Sequence, residues 1–531
     1  TEPFPNVARN APRVPGQIGT GVKADFIQRV RDNYLDVQYR GESAQSGYWE
    51  ARYGVLERIE DLLNEPSETN LSSTMDQFWQ SLQDLSVHPE DAGARSVVRQ
   101  RGIALAETFN YISDSLQTNK RDLQAEINVT KDQVNTLLYQ INEINKQVAR
   151  IEPHGYMPND LYDERDRLID ELSGLMNIEV DYQESGGQAL PAAVGIADIY
   201  LLDEGGERIP DDEFKLIDAG ELSYQEMEIN FHNDDKDNDA YHDFVAQITF
   251  TGENSEGNMA GDILSSPGKM KALVEAYGYA EGTDDENILV SGTYPDLLNE
   301  LDRMVHTFAK AFNDQHALGY GLNGQTGNSF FAGVEASEGA AGSIKVAENI
   351  MNDLDNIAAS SPVGSMMTVV GDYPEQPGPI LSGKYSGDSP RQLYVRYNSE
   401  GEYEYALVTA DEDPDEYSSI EEDAEIEGLI INLEGLEPET GDNDTVIWVY
   451  DQELTTGHSP EEAYAGDGSN ALALANIKDA LIFGGTTNVQ SFYQGIIGEL
   501  AVDTSEARQQ MYNTDALRDN VDFRRKQVTS V

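Results

Sequence analysis

Between Pro89 and Pro153 the sequence holds no other proline, and its apolar residues recur at alternating steps of four and three. Leu123, Ile127, Thr130, Val134, Leu137, Ile141, Ile144, Val148 and Ile151 mark about four heptads of one seam, with Thr130 its polar position. A helix from Pro89 to Ile151, rising 1.5 Å per residue, extends about 90 Å, well beyond the usual span inside a globular domain. Such a rod cannot bury its seam on itself, so the chain must supply long partners.

The carboxyl end offers one. Phe492, Ile496, Leu500, Asp503, Ala507, Met511, Thr514, Leu517, Val521 and Val528 outline a second long helix, whose seam is weaker because several positions are polar or small. Near the amino end Phe26, Val30, Asn33 and Val37 begin a further helix that Tyr53, Leu56, Ile59 and Leu63 continue towards Pro66. Leu298, Leu301, Val305, Phe308 and Phe312 give a shorter apolar stripe. These segments predict an α+β multidomain fold, a long-helix bundle formed by both chain ends with β-rich domains inserted.

Charge gives the domain map. Of 531 residues, 97 are Asp or Glu and 35 are Lys or Arg, a formal net of −62. Residues 1–182 hold 18 basic and 30 acidic side chains, residues 183–469 hold 11 and 60, and residues 470–531 hold 6 and 7, so the middle carries −49. That middle has short alternating runs, such as Glu226–Phe231 and Gln392–Tyr397, which read as strands. The expected division is 1–182 and 470–531 as two parts of one helical domain, 183–264 as a β-rich acidic insert, 265–325 as a mainly helical return, and 326–469 as a β-rich acidic domain.

The same arithmetic excludes function classes. A phosphate backbone is held by Lys and Arg, so nucleic acid is not a partner of this field, and anionic membrane surfaces are disfavoured alike. With no cysteine there is no thiol nucleophile, thiolate metal site or disulfide. No apolar run approaches the length of a membrane span, and the opening Thr1–Pro5 has no secretory-signal pattern. Among the seven histidines, no two have the spacing of a helical zinc pair; His306 and His316 fall ten apart on a helical stripe and read as structural. Asp235, Asp237 and Asp239 offer hard oxygens, but Ala240 and Ala246 stand where a calcium loop needs Gly and Glu, so a solvated acidic loop is the preferred reading. Asp411–Glu416 and Glu421–Asp423 read likewise. No catalytic residue, metal ligand or cofactor is assigned.

The chain resembles a known family in several ordered motifs. Gly19–Val22 with Ile27, Arg29, Asp32 and Leu35 is similar to its opening. Leu62–Ser67, Phe78–Ser86 and His88-Pro89 resemble its first turn and second helix. Asn159, Asp160, Leu161, Asp163, Arg165 and Asp166, leading to Glu171–Ser173, resemble the segment after its long helix. Leu298, Leu301, Phe312, Asn313, His316, Gly319, Leu322–Gly324, Gly327 and Phe330-Phe331 fit its central passage, and Asn470–Ala475 with Gly484–Thr487 fits the return into its last helix. The family is that of bacterial flagellar hook-associated protein 1, the junction proteins between hook and filament. The resemblance implies a non-enzymatic structural subunit that adapts hook to filament, exported through the flagellar channel without a cleaved signal peptide and located outside the cell. Implied partners are other copies in a ring, the hook protein and a second junction protein. Residues Asn159, Asp160, Asp163, Arg165, Asp166, His316 and Gly319 would then be structural, with Arg165 pairing locally in a helix start. The family's flanking terminal helices have no counterpart in residues 1–531, so a largely monomeric fragment is expected. A filament-type flagellar protein, or an adhesin or enzyme carried in the acidic inserts, is the alternative.

Overall fold

The computed structural model describes residues 31–63, 70–209, 214–232, 243–251, 265–281, 289–361 and 466–529, together with strands and a few connecting residues between 367 and 454. Gly19–Val22, Phe26, Ile27, Arg29, Val30, Pro66, Asp235, Asp237, Asp239, Asp411–Asp413, Asp415, Glu416 and Glu421–Asp423 lie outside them.

Helices α1 (Asn33–Leu63), α2 (Leu71–Val87) and α3 (Ala92–Ile151) come first. α2 starts where Asn70 accepts from the Ser73 amide at 2.8 Å, which satisfies one of the donors that a helix start leaves open. α3 ends one turn before Gly155, whose left-handed backbone closes a short 3-10 turn over Glu152–His154. α4 (Asn159–Leu175), α5 (Lys269–Tyr277), α6 (Thr293–Leu318), the short α7 (Ala340–Ser343) and α8 (Glu348–Asn352), α9 (Ser469–Asn476) and α10 (Val489–Thr529) follow.

The chain divides into two compact units. Unit 1 takes Thr1–Arg58, Asn119–Pro295 and Val502–Val531; unit 2 takes Ile59–Thr118 and Asp296–Ala501. The bounds of these units are drawn by contact and do not coincide with the composition bounds at 183, 265, 326 and 470. Side-chain composition changes where inserts begin, but contacts change partway along α1, α3 and α10, because those helices outlast any one core and serve both units.

In unit 1, two four-stranded sheets accompany the helices. Strands β1 (Ile178–Gln183), β2 (Ile196–Leu201), β3 (Ile217–Asp218) and β4 (Ser223–Tyr224) lie in that order, antiparallel, with Ile178 opposite Leu201 and Gln183 opposite Ile196. β5 (Met227–His232), β6 (Phe244–Phe250), β7 (Tyr279–Glu281) and β8 (Leu289–Ser291) form the second sheet, in which β6 and β7 run parallel. All six residues of β2 are buried, so the period of two is lost where both faces are covered. At Gly47 the backbones of α1 and α4 touch: a Cβ there would stand 2.0 Å from the Gly174 carbonyl oxygen, which only glycine permits.

Unit 2 is built round aromatic rings. Phe78 and Trp79 of α2, Phe109 of α3 and Phe308 and Phe312 of α6 meet Phe330 and Phe331, with Phe78 and Phe312 centroids 5.3 Å apart and Phe308 and Phe331 5.5 Å apart. The stripe Leu298, Leu301, Val305, Phe308 and Phe312 is wholly buried. β9 (Phe331–Ala332) and β10 (Lys345–Val346) pair beside this core. Between residues 361 and 467, β11 (Met367–Val370), β12 (Ile380–Gly383), β13 (Arg391–Tyr397), β14 (Tyr403–Thr409), β15 (Ser418–Ser419), β16 (Glu425–Ile426), β17 (Leu429–Asn432) and β18 (Val446–Leu454) make a sheet of order β11-β18-β13-β14-β15 and another of order β12-β17-β16, antiparallel throughout.

The seam of α10 differs from expectation. Leu500, Ala507, Thr514 and Val521, seven apart, are buried, whereas Leu517 is exposed. Thr504 is buried beside that row, and Phe492, Ile496, Asp503, Met511 and Val528 are half-buried.

Candidate functional site: the joints of the scaffold

Helix α3 presents its seam to the core of unit 1: Leu123, Ile127, Thr130, Val134, Leu137, Ile141, Ile144 and Val148 are buried and Ile151 is half-buried. The buried face is wider than one seam, since Leu138, Asn142 and Asn145 are covered too. Its flank meets the sheets through asparagine amides that mimic a backbone partner. Asn135 Nδ2 donates to the Met227 carbonyl at 2.9 Å while its Oδ1 accepts from the Met227 amide at 2.7 Å. Asn145 does the same to Ala197, at 2.8 and 3.0 Å, and Asn142 donates to the Leu222 carbonyl at 3.0 Å. Each satisfies strand or turn groups that burial would otherwise leave open.

The motif after the long helix forms a buried node. Asn159 and Asp160 start α4, with Asp160 and Asp163 exposed, near the helix end that favours negative charge. Arg165 is fully buried, and its guanidinium reaches beyond its own helix: Nη1 donates to Asn145 Oδ1 at 3.1 Å and to the Gly195 carbonyl at 2.7 Å, between the rings of Tyr162 and Tyr182. Exposed Arg167 pairs along the same helix, with Glu164 at 2.8 Å and Glu171 at 3.2 Å. Asp166 is buried and accepts from Arg31 and, at 3.2 Å, from Tyr182. Glu152, also buried, accepts from Tyr162, Ser185 and the Gly195 amide, the last at 2.9 Å. Burial pushes the Tyr162 phenol up, and the Glu152 carboxylate reinforces that shift. Nearby, Arg525 of α10 reaches Asp36 at 2.8 Å and Asp170 at 2.6 Å, tying α10 to α1 and α4.

A second node lies in unit 2. His316 is fully buried; Nδ1 stands 2.6 Å from the Asn328 carbonyl and Nε2 accepts from the Ala358 amide at 3.0 Å, which places the proton on Nδ1. Burial pushes its pKa down to about 4, so the ring is neutral. Asn470, buried at the start of α9, donates to the Ala358 carbonyl at 2.7 Å and accepts from Gln315 at 2.7 Å. Its amide lies against Gly319, where a Cβ would stand 2.1 Å from Asn470 Nδ2, and this is why the position carries no side chain. Arg95 holds the same loop from α3 by bonds to the Leu354 and Ile357 carbonyls at 3.2 and 2.7 Å. Asp467 then joins the two strands of chain that lead to and from the acidic β-sheets: its carboxylate accepts from Ser360 Oγ at 2.8 Å, the Ser361 amide at 3.1 Å and the Ser469 amide at 2.9 Å.

Most of the bonds of these groups run to one another and to backbone, an arrangement that fixes geometry, while Asn142 Oδ1 is buried without a hydrogen bond. Among the described residues, no three His, Asp or Glu side chains are placed to hold a metal ion, and no helix is long and apolar enough to cross a membrane.

A sequence profile for the flagellar hook-associated protein FlgK helical domain matches residues 56–331, 276 of the 531. The chain belongs to the flagellar hook-associated protein 1 family. Flagellar hook-associated protein 1 of Bacillus subtilis is 39% identical over 365 residues, 68% of each chain. The Escherichia coli protein of that name is 25% identical over 60% of this chain, which spans about half (51%) of its length. The flagellar hook junction protein FlgK from Burkholderia pseudomallei shares the fold, with a TM-score of 0.57 at 14% identity over 92% of this chain and 99% of that one. The FlgK match runs from the end of α1 to β9 and takes in α3, α4 and α6, while α9 and α10 lie outside it. Sequence reasoning picked out Arg165, His316 and Gly319 but missed Asn135, Asn142, Asn145, Glu152, Arg95 and Asp467. The available signal was Asn135, Asn142 and Asn145 at steps of seven and three along one flank of an otherwise apolar rod.

Proposed function

We infer that this chain is a structural, non-catalytic subunit of the bacterial flagellum at the junction of hook and filament, working outside the cell. The observation that carries the reading is a family match across residues 56–331 of the helical scaffold, where buried Asn145, Glu152 and Arg165 join helix to sheet. In this role the long helices act as stiff elements and the β-rich parts are carried on them. The finer assignment is that copies form a ring between the hook protein and a second junction protein, and that the chain leaves the cell through the flagellar channel without a cleaved signal. The adhesin, enzyme and filament alternatives draw on no constellation among the described residues. Deleting the coding sequence from its source should leave hooks without attached filaments, and antibody against the chain should label the hook–filament boundary in the parent. Normal filaments on the deletion strain would overturn the reading.

A further inference from the structure

The sequence has one Asn-Gly step, Asn323-Gly324, and unit 2 carries it on an exposed turn. Such a step is open to attack from within the chain, because glycine has no side chain to shield its nitrogen and reaches torsions that other residues avoid. In that attack the Gly324 nitrogen gives its proton to hydroxide and bonds to Asn323 Cγ. The Cγ–Nδ2 bond then breaks, and ammonia leaves with a proton taken from water. Water opens the cyclic imide at either carbonyl and leaves an aspartyl or isoaspartyl carboxylate. The net exchange is one water taken up for one ammonia released, so no oxidant or cofactor is needed.

The turn engages the groups that this reaction uses. The Gly324 N–H donates to the Gly321 carbonyl at 3.0 Å, and the Gly321 N–H donates to the Gln325 carbonyl at 2.9 Å. Asn323 Oδ1 accepts from the Gln325 amide at 3.0 Å, while its Nδ2 donates to Asn356 Oδ1 at 2.8 Å. Asn356 spends its own Nδ2 on the Asn349 carbonyl at 3.0 Å, which keeps its oxygen towards Asn323. Attack makes the planar Cγ tetrahedral, so both bonds of the Asn323 amide lose their alignment, and it also needs the proton that the Gly321 carbonyl holds. Reaction therefore waits for the turn to open.

We propose that Asn323 is a deamidation site held shut by Asn356, so that the folded turn sets how long the amide survives. Conversion has a local consequence. A carboxylate at 323 has no proton to give Asn356 Oδ1, so two acceptors meet where a hydrogen bond stood. The tie lost joins residues 321–325 to the 3-10 turn Leu354–Asn356, which Arg95 also holds through the Leu354 carbonyl. Modification thus loosens the node around His316 from its exposed edge.

The full chain is kept at mildly alkaline pH, folded or in urea. Mass analysis of the tryptic peptide Ala311–Lys345, which also contains Asn313 and Asn328, follows exchange of amide for acid at each site. Conversion at 323 should be about tenfold slower, or more, in the folded chain than in urea. Asn356→Ala, checked for native helical circular dichroism, should speed folded-state conversion at 323 by about threefold or more and leave Asn328 unchanged. Asn356→Asp keeps an acceptor and should stay near the wild-type rate. Equal rates in folded and unfolded wild type, or no conversion in either, would overturn the proposal without any variant. A folded Asn356→Ala chain that converts at the wild-type rate, or that speeds Asn328 as much as Asn323, would overturn the part given to Asn356.

Discussion

Lowering the pH should weaken unit 2 through His316. Burial pushes this imidazole from the ordinary 6.5 down to about 4. The folded state therefore binds its proton later than the unfolded chain does, and stability falls with pH wherever only the unfolded state is protonated. The stabilisation is fully present above pH 6.5, is lost as pH drops towards 4, and changes no further below that. At 1.36 kcal/mol per pH unit the loss approaches about 2 kcal/mol at pH 5 and about 3 kcal/mol at pH 4. Carboxylates titrate in the same range, so the wild type is compared with His316→Gln, which keeps a donor and an acceptor but no titrating ring. Urea unfolding at pH 7, 6 and 5, followed by the fluorescence of Trp79, which packs on Phe308 and Phe312, reads the unit concerned. Any stability advantage of the wild type should shrink by about 2 kcal/mol between pH 7 and 5. A difference that stays constant across that range would refute the reasoning.

Gly319→Ala should cost about 2–4 kcal/mol in unit 2, because its Cβ displaces the Asn470 amide from two buried bonds; Asn470→Ala in the same chain should recover part of that loss, and strictly additive costs in thermal melts would count against the clash. Asn145→Ala, at a fully buried site that serves Ala197 and Arg165, should cost about 3 kcal/mol, against about 1–2 for half-buried Asn135→Ala, with amide exchange rising at Ala197 and Met227 respectively. Replacing residues 362–466 by a short Gly-Ser linker should keep the helical circular dichroism of the remainder, since Asp467 already holds Ser360 and Ser361; loss of the helical melt would show that the insert props up the scaffold. In the full chain, the melting temperature of the acidic β-rich parts within residues 183–469 should rise from 0.05 to 1 M NaCl as screening shortens from roughly 14 Å to about 3 Å, and a flat or falling trend would reject self-repulsion.

The rod was legible because a heptad repeated over about thirty residues outvotes any single substitution. The same rule misplaced Leu517, which is exposed although Leu500, Ala507, Thr514 and Val521 are buried, because a periodic apolar residue need not face the core. Arg165 looked like a helix-start cation because its acids are adjacent in sequence, while its bonds to Asn145 and Gly195 exist only once α3, α4 and β2 are assembled. The asparagine joints were invisible for a related reason, since an amide on a helix reads as solvated until a strand's free backbone groups arrive beside it. Composition records what a segment faces, whereas the bounds of the two compact units, within α1, α3 and α10, depend on which stretches of a long helix share a core.

The chemistry of the joints bears on how the chain tolerates its charge. The bonds from Asn135, Asn142 and Asn145 to the sheets join neutral groups, and so do those from Asn470 and His316 to the Ala358 loop. A neutral hydrogen bond is insensitive to ionic strength and to the field of distant carboxylates, whereas an exposed ion pair is weakened by both. The one carboxylate at the stem of the second acidic region, Asp467, is met by two amides and a hydroxyl rather than by Lys or Arg. Acid can thus accumulate between residues 183 and 469 without competing for the partners that hold the sheets to the helices. Ion pairs remain between helices, as Arg525 with Asp36 and Asp170, and within the sheets, as Arg208 with Glu179 and Asp181. Where a joint is made by a neutral amide, as at Asn135 and Asn142, its geometry is kept while the charge on the surface it carries changes.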